Sequence, residues 1–136
     1  MVSDQNLILL RGLPGAGKSS FASLISENYK YPIYSVDDYF TNDFGKYEFK
    51  FDENHKAYAL CLSQTEEAIK KGHHKVIVHN TFTMDWELAP YFSLAKKYQI
   101  KLYVMTVENY HQQKNLHEIS EAQIKKMAEK YQVKLF

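Results

Sequence analysis

"GLPGAGKSS", Gly12 to Ser20, decides the fold of this 136-residue chain, because three of its five glycines fall within these nine residues. Backbone freedom is concentrated here and scarce elsewhere, so something must approach this backbone closely. The stretch fits G-x-x-x-x-G-K-[ST] as Gly12, Gly17, Lys18 and Ser19. In such a loop successive N–H groups converge on one concavity, the lysine ammonium reaches the β- and γ-phosphates, and the serine hydroxyl ligates Mg²⁺. Gly12, Pro14, Gly15, Ala16, Gly17, Lys18, Ser19 and Ser20 are therefore the expected nucleotide-binding residues, with Ser19 the metal ligand.

The flanks agree. Leu7-Ile8-Leu9-Leu10 is a continuous apolar run suited to a strand buried on both faces, and Phe21, Leu24 and Ile25 recur at helical spacing. Further along, Ile33-Tyr34-Ser35-Val36 is a short β-prone run after Pro32, ending in Asp37-Asp38. "TNDFGKYEFKF", Thr41 to Phe51, is punctuated as a loop or short hairpin. From about Asp52 to Lys71, Tyr58, Cys61, Leu62, Thr65, Ala68 and Ile69 keep helical spacing, and Gly72 closes the run as a C-terminal glycine should. Val76-Ile77-Val78 predicts a third strand. A helix carrying Met84, Leu88, Tyr91, Phe92, Ala95 and Tyr98 comes next, kinked or split by Pro90, and Ile100 to Val107 predicts a fourth strand. Ser120-x-x-Gln123 is a capping box opening a last helix with Ile124, Met127, Ala128 and Tyr131 on its buried stripe.

Strands alternating with helices imply right-handed crossovers and a parallel sheet covered on both faces. Ligands in such α/β sheets bind beyond the carboxyl ends of the strands, which collects Gly12 to Ser19, Asp37-Asp38 and His79-Asn80-Thr81 on one rim. Asp37 can accept the proton of an attacking hydroxyl there, or serve as a plain cap. A carboxylate is a weak base, but a loose phosphoryl-transfer transition state asks little of it. Asp38 either shares this work or caps the next segment of chain.

The totals set bounds. This length suits one domain, 1–136, with a real core. The net charge of +1 gives no whole-protein field for nucleic acid. Cys61 is the only cysteine, so neither a disulfide nor a Cys-rich metal site can be built, and its apolar neighbours Leu60 and Leu62 suggest burial. Without a basic leader or an apolar run long enough to span a membrane, a reducing cytoplasm is the expected location. Cations are lysine sixteen times and arginine once, Arg11. An enzyme moving phosphate would have to find its positive charge outside the arginine fork.

The ordered set "LLRGLPGAGKSS", "SVDDYF", "GKYEF", "VIVHNTF", W-E-x-x-P-Y at Trp86 to Tyr91 and "KN-L-H-x-I-S-x-x-Q-I-x-x-M" through Met127 resembles the polynucleotide 5′-hydroxyl-kinase-like branch of P-loop kinases, which includes ATP-binding proteins of the Nedd-four-binding-protein-like group. The resemblance covers nearly the whole chain. It implies a three-layer P-loop NTPase fold of the kinase type with about four mostly parallel strands, ATP with Mg²⁺ as donor, a hydroxyl-bearing acceptor such as a nucleic-acid 5′-end, and Asp37 as catalytic base. Lys18 and Lys114 would carry the charge at the transferring phosphate.

Three departures stand out. The family's third strand usually ends in an aspartate followed by N-T-N, whereas here it reads His79-Asn80-Thr81-Phe82. The lid pair is Gln113-Lys114 before Asn115, without arginine, and the arginine that the polynucleotide kinases carry three residues after the catalytic aspartate is Phe40. A partner protein supplying an arginine is thus one expectation, and transfer to a small molecule or simple nucleotide binding are the alternatives to a nucleic-acid acceptor. His79, Asn80 and Thr81 are candidate substrate contacts together with Asp38, although a strand-end histidine can equally pack. Tyr47, Phe49 and Phe51 alternate with Lys46 and Lys50 between them, so they either stack bases or tuck onto the neighbouring helix.

Overall fold

A computed structural model describes residues 4–108 of the chain. Four parallel strands form one sheet in the order β2-β3-β1-β4: β1 Asn6–Arg11, β2 Ile33–Tyr34, β3 Lys75–Asn80 and β4 Lys101–Thr106. The helices are α1 Lys18–Ile25, α2 Asn54–Lys70 and α3 Asp85–Tyr98, with short 3₁₀ turns at Val36–Phe40 and Phe51–Glu53. β1 lies between β3 and β4, in register Leu9↔Val78 and Leu9↔Val104. Its continuous apolar run follows from that central position, since both faces must be covered.

Alternation along the strands sorts two cores. Leu10, Ile77 and Ala22 meet on the α1 face, with Ile8, Phe21, Ile25 and Ile33 around them. Leu7, Leu9, Val76 and Val78 pack on the other face against Ala57, Cys61, Ala68 and Ile69 of α2 and Leu88, Tyr91, Leu94 and Ala95 of α3. Each fully buried aliphatic side chain contributes about 1.5–3 kcal/mol. The larger core therefore holds α2 and α3 firmly beneath the sheet rim.

Several sequence expectations change in detail. The second strand stops at Tyr34, and Val36 and the two aspartates belong to a 3₁₀ turn instead. His79 and Asn80 are the last residues of β3 rather than a loop beyond it. Leu24 is exposed, because α1 is only eight residues long and buries Ala22 as its contact with the sheet. Phe92 is also exposed, and Leu94 takes a place in the core. α3 runs unbroken through Pro90. Among the described residues no helix is long and apolar enough to cross a membrane. The helix expected after Ser120 lies outside the described residues, as does Lys114 with its neighbours Gln113 and Asn115.

Candidate functional site

The glycine loop leaves β1 at Arg11 and enters α1 at Lys18. A Cβ on Gly12 would stand 2.6 Å from the carbonyl oxygen of Val107, so the chain can pass the end of β4 only without a side chain there. Gly17 takes φ +98° as the residue that caps α1, a left-handed conformation costly for any residue with a Cβ. Gly15 is left-handed too, and between the two Ala16 is buried and its N–H donates to Leu13 O at 3.1 Å. Pro14 is partly buried, while Ser19 and Ser20 are exposed in the first turn of α1.

Lys18 folds back over this loop. Its Nζ donates to Gly12 O at 2.6 Å and Leu13 O at 3.0 Å. Burial lowers its pKa to about 8, against the opposing pull of the Asp37 charge nearby. An ammonium so poorly solvated gains from an arriving anion, and the freed N–H groups of a glycine loop at a helix N-terminus suit a phosphate. The donor set therefore fits a nucleotide triphosphate, with the exposed Ser19 hydroxyl available to its metal. Among the described residues no cluster of three His, Cys, Asp or Glu side chains forms a metal site by itself.

The second wall is the corner after β2. Ser35 caps the 3₁₀ turn: its Oγ accepts from Asp37 N at 3.2 Å, and its own N–H donates to Asp38 Oδ2 at 3.0 Å. Asp38 thus spends its carboxylate on the cap. Burial pushes its pKa up, with the Ser35 amide working against that and the Asp37 charge adding to it. Asp37, in contrast, lies within electrostatic reach of Lys18 and of the Tyr47 phenol, whose pKa burial and the Asp37 charge push up to about 12.

β3 supplies the third wall, with a division of labour set by strand alternation. His79 shares the face of Ile77 toward α1, is partly buried and pairs in register with Leu10. Asn80 points the other way and is buried. Its Oδ1 accepts from Val36 N at 2.8 Å and Ser35 Oγ at 3.3 Å, and its Nδ2 approaches Cys61 Sγ at 4.0 Å. Asn80 therefore holds the aspartate corner rather than facing outward. Thr81 is partly buried at the strand exit. Phe82 is completely buried with φ +48°, a rare conformation for an aromatic residue, and its ring meets Tyr91 edge-on at 5.6 Å. Arg11, also buried, donates from Nη2 to Phe82 O at 2.8 Å. The single arginine of the chain is built into the floor of the site.

Asn80→Ala would remove the acceptor for two buried donors, Val36 N–H and Ser35 Oγ–H. It should cost roughly 2 kcal/mol, the usual penalty for orphaned buried polar groups. Urea denaturation measures this, and unchanged stability would return Asn80 to a substrate-facing role.

The W-E-x-x-P-Y stretch clamps α3 onto α2. Buried Glu87 accepts from Tyr58 Oη at 2.8 Å, Thr83 Oγ1 at 3.0 Å and Met84 N at 2.8 Å, Trp86 packs on the Tyr58 ring at 5.2 Å, and Tyr91 Oη donates to Cys61 Sγ at 3.2 Å. The aromatic loop divides between its two readings. Phe51 is exposed, Phe49 is half exposed at 5.0 Å from the buried Phe40 ring, and Tyr47 packs inward. Sequence reasoning missed Ser35 and its cap, although Ser35-x-x-Asp38 carries the capping-box spacing in plain sight.

A parallel sheet ordered β2-β3-β1-β4, with the glycine loop between β1 and α1 and an aspartate corner after β2, defines a P-loop α/β domain of the kinase type. The chain belongs to the AAA domain family, whose signature matches residues 7–133. It is 34% identical over 134 residues to human NEDD4-binding protein 2, a match that takes in 93% of this chain but 8% of that relative. Among solved structures, a chain of the Pnkp1/Rnl/Hen1 RNA repair complex superposes with TM-score 0.71 at 19% identity over 97% of this chain and 45% of the other. A gluconokinase from Sinorhizobium meliloti gives TM-score 0.61 at 14% identity, covering 96% of this chain and 77% of its own. At such identities these two likenesses speak for the fold.

Proposed function

We propose that this chain transfers the γ-phosphate of ATP to a hydroxyl group, with a nucleic-acid 5′-hydroxyl the favoured acceptor. The observation that carries the reading is the placement of Asp37 in the turn after β2, within electrostatic reach of the P-loop ammonium of Lys18. Bound ATP would bring the phosphoryl group and Mg²⁺ would withdraw charge from it. Loop N–H groups and Lys18 hold the phosphates, Ser19 offers its hydroxyl to the metal, and Asp37 orients the attacking hydroxyl and takes its proton. The resemblance to the 5′-hydroxyl-kinase-like branch and the RNA-repair fold neighbour support the nucleic-acid acceptor. A small polyhydroxyl acceptor is the second reading, favoured by the net charge of +1 and by the burial of the only arginine. The reducing cytoplasm suits the single buried thiol, Cys61.

Incubation with labelled ATP and Mg²⁺, alongside 5′-hydroxyl oligonucleotides, nucleosides, gluconate or water alone, decides among the acceptors. Label on the oligonucleotide supports the favoured acceptor, and label on gluconate or a nucleoside supports the second reading. ATP binding without transfer makes the chain a nucleotide-binding interaction module.

Charge at the transferring phosphate is the weak link, since Arg11 is occupied with Phe82. Lys114 is the cation we assign to it. Lys114→Ala should lower the transfer rate about 10²-fold with little change in ATP affinity, because that contact forms mainly in the transition state. Lys114→Arg should match or exceed the parent. If neither change alters the rate, an arginine from a partner protein takes over the role, and addition of that partner can raise the rate by about 10³ or more.

A further inference from the structure

Trp86 is the only tryptophan of the chain, and it stands 58% exposed in the first turn of α3. Leaving that much of the largest apolar side chain in water forgoes burial free energy. Its place is nevertheless fixed. The indole packs on the Tyr58 ring with centroids 5.2 Å apart and planes tilted by 55°. Tyr58 is held in turn, because its Oη donates to Glu87 Oε1 at 2.8 Å, while buried Glu87 accepts through Oε2 from Thr83 Oγ1 at 3.0 Å and Met84 N at 2.8 Å. The exposed ring thus rests on a hydrogen-bonded floor and has little freedom left to lose when a ligand arrives.

This platform lies beside the aspartate corner. α3 starts just beyond the carboxyl end of β3, which puts Trp86 at the rim where such sheets bind ligands. α2 begins at the same rim, since it ends where β3 starts, and it packs on the 3₁₀ turn that carries Asp37. Tyr39 of that turn donates from Oη to Glu53 Oε1 at 2.8 Å, one residue before α2, and Tyr58 follows about one helical turn later. Tyr58 belongs to the α2/α3 layer, whereas the glycine loop leads into α1 on the other face. Asp37 therefore has Lys18 of the phosphate cradle within electrostatic reach from one layer and Tyr58 from the other.

We propose that Trp86, carried by Tyr58 and Glu87, is the stacking platform for the nucleobase of the 5′-terminal nucleotide of a single-stranded acceptor. The inference rests on the nucleic-acid reading of the acceptor, while the base contact itself can be measured without any transfer. Every base has a flat π face that an indole matches, and an unpaired end is free to present it. Gluconate or another polyhydroxyl has no such face. The ring therefore selects the class of acceptor rather than its sequence. It also needs no arginine, which suits a chain whose single Arg11 is buried against Phe82 O.

Trp86 emission is the first readout, because the chain has no other tryptophan. With Mg²⁺ and a non-hydrolysable ATP analogue present, a 5′-hydroxyl oligonucleotide should quench it, and the same oligonucleotide with an abasic 5′ nucleotide should leave it nearly unchanged. Steady-state transfer is the second. Removing the 5′ base should raise the oligonucleotide KM about tenfold in the parent, in line with the worth of one stacked base, and should cost nothing in Trp86→Leu, which keeps apolar bulk on Tyr58 without a π face. Trp86→Phe should recover most of the difference, and the ATP KM should hold in every variant. Emission unmoved by either oligonucleotide or moved equally by both overturns the platform, as does an equal base effect in parent and Trp86→Leu, while label on the oligonucleotide still upholds the acceptor reading. A raised ATP KM in Trp86→Leu hands the ring to the donor adenine and overturns the platform too. Base-dependent quenching by an oligonucleotide that is never phosphorylated supports the contact and overturns the kinase reading instead.

Discussion

Lys18→Ala is expected to reduce ATP affinity by more than 100-fold, about 3 kcal/mol, while the chain remains folded. The loss is large because the ammonium is the one described cation tied to both the glycine loop and the aspartate corner. Its electrostatics add a second, less obvious expectation. The folded-state pKa of Lys18 is depressed, to about 8 from an ordinary 10.5, chiefly by burial. Below about pH 8 the folded chain carries a desolvated charge that the unfolded chain would hydrate fully, which costs stability. Between that point and the ordinary lysine range the unfolded state binds more protons, so stability should rise with pH through this window. Lys18→Met, which keeps the stem and removes the charge, should therefore melt no lower than the parent at pH 7 and should lose the rise. Nucleotide binding to the parent near pH 8 should take up protons, as phosphate charge restores the ammonium. Calorimetry in buffers of different ionisation enthalpy reads that uptake directly. Unchanged ATP affinity in folded Lys18→Ala would remove the nucleotide assignment.

Much of this arrangement is visible in the sequence where the physical requirement is local. The cradle announces itself because Gly12, Gly15 and Gly17 answer needs of the backbone: a close pass by Val107 O in one case and left-handed φ in the other two. β1, α2 and β3 show clear periodicities because each buries a long apolar stripe. Where a short polar signal competes with a weak apolar one, the reading slips. Val36 looks like strand, yet the Ser35–Asp38 box turns the chain at once and lifts Asp37 off the sheet. Beyond α1 and its cap Ser26 come Glu27, Asn28 and Tyr29, three successive left-handed residues with no glycine, held by Tyr29 N to Ser26 Oγ at 2.9 Å. Nothing in their composition except Asn28 hints at that conformation. Asn80 and Tyr47 are harder still. Both look like surface contacts in sequence, and both turn inward, Asn80 to accept from Val36 N and Tyr47 to pack edge-on against the Phe40 ring.

Asp37→Asn should leave ATP binding at pH 7 near that of the parent and reduce transfer by about 10²–10⁴-fold, the usual range for loss of a positioned general base. The amide keeps the shape of the carboxylate, so the Ser35 cap, the Asn80 bonds and the Thr41 contact to the backbone of residue 37 all persist. What disappears is the capacity to accept a proton. The charge of Asp37 also raises the pKa of Lys18, opposing burial, so its removal should let Lys18 titrate at a still lower pH. ATP affinity of the variant should then begin to fall at a lower pH than in the parent. That displacement distinguishes a lost base from a damaged site, because a distorted loop would weaken ATP binding at every pH. Asp38→Asn is the companion measurement. Asp38 is spent on the N-cap and accepts Ser35 N at 3.0 Å, a bond an amide oxygen can still accept, so the variant should keep most of its rate. Equal turnover by Asp37→Asn with loss in Asp38→Asn would exchange the two roles and move the base one residue along the turn.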